Sequence, residues 1–179
     1  EPYRRIAYDV AVPSVFAAYP HAIVVNSFSK ELSLAGERIG YLAVHPEAQD
    51  AAQILAAAAA INSMNVVNAP SLFQQVAVKV AGAGVDVSAY RRRRDRMCTV
   101  LSEAGYEFVR PEGAFYLFPK SPIADDVRFT RLLKEERILV SPGRAFGAPG
   151  YFRISYAVPE AAIGGSSEGF RRALQKALG

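Results

Sequence analysis

The sequence has 179 residues, 51% of them hydrophobic, which is enough apolar material for one good core or two small ones and excludes a disordered chain. Its 21 basic and 17 acidic residues leave a net charge of +4, which suits an anionic ligand but is too weak for a nucleic-acid-binding surface. Cys98 is the only cysteine, so no disulfide can form within the chain and we expect a cytoplasmic protein.

The sequence favours neither a metal site nor a membrane span. His21 and His45 stand at no zinc-like spacing from Cys98, so we expect no bound metal. The longest apolar stretch, residues 51–62, is alanine-rich and too short to cross a bilayer, so it predicts a packed helix. The five arginines of Arg91–Arg96 could neutralise phosphates, but no aromatic residues are interleaved with them. We therefore expect a solvated helix face there and no nucleic-acid partner.

The first half of the chain predicts strands that alternate with helices. Residues 22–28 form a short β-branched run typical of a buried strand whose carboxyl end opens onto a site. Residues 39–46 predict a second buried strand that a proline ends. An alanine-rich helix follows from about Glu47, and another begins near Pro70 and runs toward Gly82.

The second half follows a glycine-rich connection at residues 82–88, where we place a domain boundary. A helix with apolar positions at Met97, Val100 and Leu101 comes next and closes at Gly105. Beyond it the sequence predicts a small α+β unit. Its strands are expected at 106–109, 114–119, 137–140 and 151–158, and its helices at about 125–136 and 160–178.

The segment "NSFSKELSLAGERIGY", residues 26–41, concentrates the side chains best suited to chemistry. Lys30 offers an amine nucleophile just beyond the first strand. Ser27 and Ser29 offer hydroxyl donors, and Arg38 offers a planar set of donors that can hold phosphate oxygens in a bidentate manner. A phosphorylated aldehyde cofactor needs this combination. The structural alternative is a solvated lysine and an arginine held in a salt bridge.

Two glycines bracket the arginine of this segment. Because Gly36 and Gly40 carry no side chain, we expect the backbone to turn tightly there and to bring Arg38 toward the ligand.

This segment resembles the lysine segment of the pyridoxal-phosphate aminotransferases of class I and II, the aspartate aminotransferase family of fold type I. That family has a serine three positions before its lysine and an arginine eight positions after it, and Ser27, Lys30 and Arg38 match this spacing. Other segments resemble the family in the same order, and they extend the resemblance through nearly the whole chain: "EPY", "NAP" with "SLFQQVA", "RRRRDRM", "RPEGAFYLFP", "ILVSPGRAFG" and "YFRISYA".

The resemblance implies an α/β fold. Residues 1–83 would be the carboxyl part of the large cofactor-binding domain, with a mostly parallel sheet and helices, and residues 84–179 the small carboxyl-terminal α+β domain. The family's aspartate that pairs with the cofactor ring nitrogen would immediately precede Glu1. We therefore expect the carboxyl half of an enzyme that is a homodimer when full length, and we expect this chain alone to be catalytically inactive.

The resemblance also implies a function, the transfer of an amino group between an amino acid and a 2-oxo acid with pyridoxal 5'-phosphate as cofactor. Lys30 would form the Schiff base with the cofactor and move the proton at the substrate α-carbon. The other implied contacts are Tyr3 to the cofactor's phenolic oxygen, Ser27 and Arg38 to its phosphate, Arg153 to the substrate α-carboxylate, and Asn68 as a further substrate-binding residue.

Other interpretations remain open at this point. A pyridoxal-phosphate lyase of the same fold uses the same lysine and arginines, a transcription regulator can carry an aminotransferase-like effector domain, and a noncatalytic module could retain the motif. Aspartate-selective members of the family carry a second arginine a few positions before the Asn-Pro turn. The segment "INSMNVVNAP" has none, so we expect a pocket for neutral side chains or an adaptable one.

Overall fold

The computed structural model describes residues 1–80 and 82–179, and the chain forms two compact units, Glu1–Val85 and Asp86–Gly179. No helix among the described residues combines the length and the apolar character needed to cross a membrane. The assignment of the two parts of the chain to a cofactor-binding domain and a small domain stays a prediction.

The first unit contains one pair of strands and four helices among its described residues. In chain order they are α1 (Val15–Ala18), β1 (Ile23–Ser27), α2 (Phe28–Glu31), β2 (Gly40–Val44), α3 (Ala51–Asn65) and α4 (Ser71–Val80).

The two strands of this unit pair antiparallel, from Ile23 opposite Val44 to Ser27 opposite Gly40. The mostly parallel sheet that we expected is therefore not what the described residues form. A parallel pair needs a long crossover, usually a helix, and the only helix between β1 and β2 is the four-residue α2. The strand at 22–28 was also expected to be buried, but only alternate residues of β1 lie inside, because one face of the pair stays exposed.

Helix α3 differs from the packed helix that we expected, because none of its residues is buried. The alanines of this helix point to every side of it, so no single face is more apolar than the others. Helix α4 has a more distinct apolar side and buries Ala77.

The second unit packs helices against a three-stranded antiparallel sheet. In chain order it contains α5 (Val87–Ala104), β3 (Tyr116–Leu117), α6 (Asp126–Glu135), β4 (Ser141–Pro142), a 3₁₀ helix (Gly143–Phe146), β5 (Phe152–Ser155), α7 (Glu160–Gly165) and α8 (Ser167–Leu178). Strand β5 lies in the centre of the sheet, with β3 on one side and β4 on the other.

Local signals define helix α5 at both ends. The Asp86 carboxylate accepts hydrogen bonds from the backbone N–H groups of Ser88 and Ala89, which caps the first turn. Gly105 ends the helix with a φ of 89°, in the left-handed region that glycine adopts without strain. The predicted helix end at Gly105 is confirmed.

Two predicted strands of this unit are wrong. Residues 106–109 are not a strand, and Tyr106 caps the carboxyl end of α5 because its N–H donates to Leu101 O at 3.0 Å. At 137–140 the chain closes α6, with Arg137 at a φ of 60° and Ile138 N bonded to Leu133 O. The predicted helix at 160–178 is divided into α7 and α8.

The core of the second unit is aromatic. The ring of Tyr106 lies against Phe129, Phe152 and Phe170, all of which are fully buried. The Tyr106 hydroxyl donates to the carbonyl of Phe170 at 2.9 Å. Burial raises the pKa of Tyr106 far above its usual value.

The arginine run is not only a solvated face, because one of its residues is buried. Arg94 is 4% exposed, and it donates to the carboxylate of Asp95 at 2.8 Å and to the carbonyl of Pro111 at 3.1 Å. Its stem lies inside while its head is satisfied by hydrogen bonds, which is how proteins bury arginine.

Candidate active site

Strand β1 ends at a short helix that carries the candidate nucleophile. Ser27 is the last residue of β1 and the N-cap of α2, where its Oγ accepts a hydrogen bond from Ser29 N at 3.2 Å. The Ser27 hydroxyl also donates to the Ser29 hydroxyl at 2.8 Å. Lys30 follows on the same turn and is half-buried. One turn of backbone thus presents two hydroxyl groups and one amine.

Backbone pairing brings Arg38 alongside this turn. Phe28 N donates to the carbonyl of Ile39 at 3.1 Å, which continues the pairing of the two strands into α2. Arg38, the next residue back along the chain, adopts a left-handed conformation with a φ of 53°. Its guanidinium is exposed and uses one N–H to bond the carbonyl of Ala35 at 2.8 Å. The expected grouping of Ser27, Lys30 and Arg38 is thus consistent with the backbone.

The two glycines beside Arg38 play different parts from those that we expected. A Cβ at Gly40 would lie 2.4 Å from the carbonyl oxygen of Asn26, so the close approach of β1 requires glycine there. A Cβ at Gly36 would meet nothing within 4 Å, and its φ is not in the left-handed region. The turn strain falls on Arg38 itself, and Gly36 is not needed for it.

A buried polar network next to Lys30 was not predicted from the sequence. Glu31 is only 2% exposed, and it accepts a hydrogen bond from Asn26 Nδ2 at 3.1 Å. Its other carboxylate oxygen lies 3.8 Å from Arg5 Nε, and Asn26 Nδ2 also donates to the hydroxyl of Tyr41 at 3.2 Å. Asn26 was the available signal, because a polar residue at an inward position of a strand needs a buried partner.

The remaining candidates of the first unit lie on connecting segments. Tyr3 is half-buried, and its carbonyl accepts a hydrogen bond from Ile6 N at 2.9 Å. It precedes by two residues Arg5, which contacts Glu31. Asn68 is exposed between α3 and α4. The roles expected for Tyr3 and Asn68 stay predictions.

A groove of about 810 Å³ lies in the same unit, between the strand pair and α3. Its walls combine apolar side chains such as Val25 and Leu55 with the amides of Asn62 and Asn65. Within residues 1–80 and 82–179 there is no group of three or more metal-ligating side chains.

The candidate carboxylate-binding arginine belongs to the second unit. Arg153 lies on the central strand β5, between the buried residues Phe152 and Ile154, and its side chain is on the opposite face from theirs. Its guanidinium carbon is 4.0 Å from the ring centroid of Phe146 and 4.5 Å from that of Tyr116. Each of these distances is well within the range of a cation–π contact.

Comparison with known proteins shows what the chain is similar to. Residues 2–164 match the family described as aminotransferase class I and II. The chain is 35% identical over 167 residues to the aspartate/prephenate aminotransferase of Thermus thermophilus and 32% identical over 163 residues to the aspartate aminotransferase of Thermotoga maritima. A solved amino transferase from Eubacterium rectale superposes with a TM-score of 0.93 at 42% identity over 98% of this chain.

These relatives are longer than the chain. It spans 42% of the Thermus protein, 41% of the Thermotoga protein and 45% of the Eubacterium chain, although 88% of its own residues align with each of the first two. The predicted α/β class and the family resemblance are both confirmed.

Proposed function

The chain belongs to the aminotransferase class I and II family, and from that premise we propose that it supplies the reactive lysine of an enzyme that transfers an amino group between an amino acid and a 2-oxo acid. The observation that carries the proposal is the turn at the end of β1, where Lys30 follows the paired hydroxyls of Ser27 and Ser29 and lies beside the segment of Arg38.

The donor set of this turn fits pyridoxal 5'-phosphate. The amine of Lys30 can bond covalently to its aldehyde. The exposed guanidinium of Arg38 and the hydroxyl of Ser27 suit its phosphate, because arginine binds phosphate oxygens with two parallel hydrogen bonds. When bound, the cofactor supplies the electron sink that stabilises negative charge at the substrate α-carbon.

The protein's own groups would then hold and orient the reactants. Lys30 Nζ would hold the cofactor before the substrate binds and afterwards move the proton at the α-carbon. Tyr3 would donate a hydrogen bond to the cofactor's phenolic oxygen. Arg153 would clamp the substrate α-carboxylate and fix the direction of the α-hydrogen, with Asn68 as a further substrate contact.

The side chain of the preferred substrate is a separate question. The relatives above are named for aspartate and prephenate, but residues 61–70 contain no lysine or arginine that could pair with a second carboxylate. The groove beside that segment is lined by apolar side chains and by Asn62 and Asn65. We propose a substrate with a neutral side chain, acted on by a cytoplasmic, homodimeric enzyme.

The test uses the chain itself and does not depend on turnover. The 179-residue chain is incubated with pyridoxal phosphate and reduced with borohydride, and its peptides are analysed by mass spectrometry. We expect the pyridoxyl group on Lys30, and we expect Lys30→Arg to abolish the labelling. Lys79→Arg is the matched control, since Lys79 is an exposed lysine of the same unit, and it should label as the parent does. Equal labelling of all lysines would contradict the proposal.

A further inference from the structure

The side chain of Arg153 lies against two aromatic rings, on the face of the second unit's sheet opposite Phe152 and Ile154. Tyr116 pairs with Ser155 across β3 and β5, so Tyr116 is on the same face as Ser155 and Arg153. Phe146 reaches the guanidinium from the 3₁₀ helix that follows β4. Within Asp86–Gly179 no hydrogen bond or ion pair occupies the Arg153 donors.

The 3₁₀ helix that carries Phe146 is itself anchored to the core. Arg144, two residues before Phe146, donates its backbone N–H to Asp126 Oδ2 at 2.7 Å and its Nε–H to Asp126 Oδ1 at 2.6 Å. Asp126 is fully buried, so these bonds fix the 3₁₀ helix to the start of α6. The ring of Phe118 adds an edge-on contact to Phe146 at 6.0 Å between ring centroids.

We propose that Phe146, together with Tyr116, is a positioning residue for Arg153: the two rings cover the guanidinium and leave the N–H donors along its edge for a ligand. This inference rests on the proposed function, in which Arg153 binds the substrate carboxylate. A ligand that approaches this edge lies in the guanidinium plane, which is the geometry of a bidentate carboxylate. Because a free arginine loses much side-chain entropy on binding, the rings lower that cost before the ligand arrives.

The test measures the NMR resonances of the Arg153 side chain in the intact 179-residue chain. With arginine labelled by ¹⁵N and ¹³C, the Arg153 side-chain resonances are assigned by their disappearance in Arg153→Lys. We expect ring-current shifts at Arg153 in the parent chain, and we expect them to shrink in Phe146→Leu, which keeps an apolar side chain but removes the ring. Tyr151→Leu is the matched control, because the Tyr151 ring stacks on Phe118 and not on Arg153.

The binding arm uses pyruvate as the simplest 2-oxo acid, with no pyridoxal phosphate added. We expect pyruvate to shift the Arg153 resonances and Phe146→Leu to weaken this binding about two- to fivefold, the range that a cation–π contact supplies. Phe146→Tyr keeps the aromatic ring, so it should bind pyruvate with the parent affinity. A merely structural role for Phe146 would not predict this dependence on the ring.

Three results would overturn the inference: no ring-current shift in the parent chain, no response of Arg153 to pyruvate, or unchanged pyruvate affinity in Phe146→Leu. Neither the cofactor nor Lys30 takes part in these measurements. Failure of the Lys30 labelling would therefore be distinguishable from failure here.

Discussion

The most demanding prediction concerns the contact between Gly40 and the backbone of β1. In Gly40→Ala the new methyl group would start 2.4 Å from Asn26 O and 3.2 Å from Ser27 Cα, whereas an ordinary contact begins at 3.4 Å. One strand must therefore move by about 1 Å, and the obstacle is backbone that no change of rotamer can relieve. A shift of that size would stretch the 3.1 Å bond from Phe28 N to Ile39 O beyond hydrogen-bonding range.

We expect this overpacking to lower the free energy of unfolding of the first unit by about 1–3 kcal/mol. Urea unfolding followed by circular dichroism gives the overall change. Hydrogen–deuterium exchange of the peptides that cover β1 and β2 locates it. The expected result is faster exchange in both strands and, because β1 delivers Ser27 and Lys30, weaker pyridoxal labelling of Lys30.

Gly36→Ala is the matched control, since the same methyl group is added four residues away in open space and at an unstrained φ. It should leave exchange unchanged and alter the free energy of unfolding by at most about 1 kcal/mol, in the stabilising direction. Equal stability of the Gly40→Ala and Gly36→Ala chains would refute the close approach of β1 to Gly40.

Three further predictions concern single hydrogen-bonding groups. Burial opposes the charged form of Asp126, but the hydrogen bonds from Arg144 outweigh it and hold the carboxyl pKa below its usual value. The stabilisation from this carboxylate is therefore present at neutral pH and is lost as the pH falls below about 4. In an acid titration followed by circular dichroism, Asp126→Asn should have a lower stability at neutral pH and a shallower loss of stability in acid, and a curve equal to the parent's would contradict this. Tyr106→Phe removes the bond to the Phe170 carbonyl and should lower the free energy of unfolding of the second unit by about 1 kcal/mol in urea, with no loss expected if that bond is absent in solution. Ser27→Ala removes both the N-cap of α2 and a candidate phosphate-binding hydroxyl, so it should slow the pyridoxal labelling of Lys30 and lower the free energy of unfolding by about 1 kcal/mol. Labelling of Lys30 at the parent rate would exclude Ser27 from the site.

The sequence was most informative where the physics is local. The end of α5 at Gly105 could be predicted because a glycine that follows the last apolar position of a helix is a local signal, and glycine adopts the left-handed conformation found there. The placement of Ser27 and Lys30 on one turn is local in the same way, and Arg38 lies on the segment that pairs with this turn. The roles expected for these three residues stay predictions.

The sequence was misleading where distant residues decide the structure. Residues 106–109, "YEFV", have the aromatic and β-branched residues typical of a strand. In the structure the Tyr106 ring instead packs against Phe129, Phe152 and Phe170, and its hydroxyl donates to the carbonyl of Phe170, 64 positions away on α8. Tertiary packing of this kind overrides a short pattern.

The same limit applies to the candidate sites. The approach of Arg144 to Asp126 and of Phe146 to Arg153 depends on how strands and helices are arranged in three dimensions. No spacing rule within one element predicts those contacts, although the residues themselves lie in segments that resemble the family.

The two units hold their key side chains by different means, and this difference determines which substitutions should matter. At Lys30 the placement comes from backbone: the strand pairing, the N-cap at Ser27 and the buried carboxylate of Glu31 on the next residue. Substitutions that move backbone, such as Gly40→Ala, should therefore disturb Lys30 more than changes of exposed side chains nearby. At Arg153 the placement comes from ring faces, so removal of the Phe146 ring should change its ligand affinity while the β-sheet hydrogen bonds stay intact.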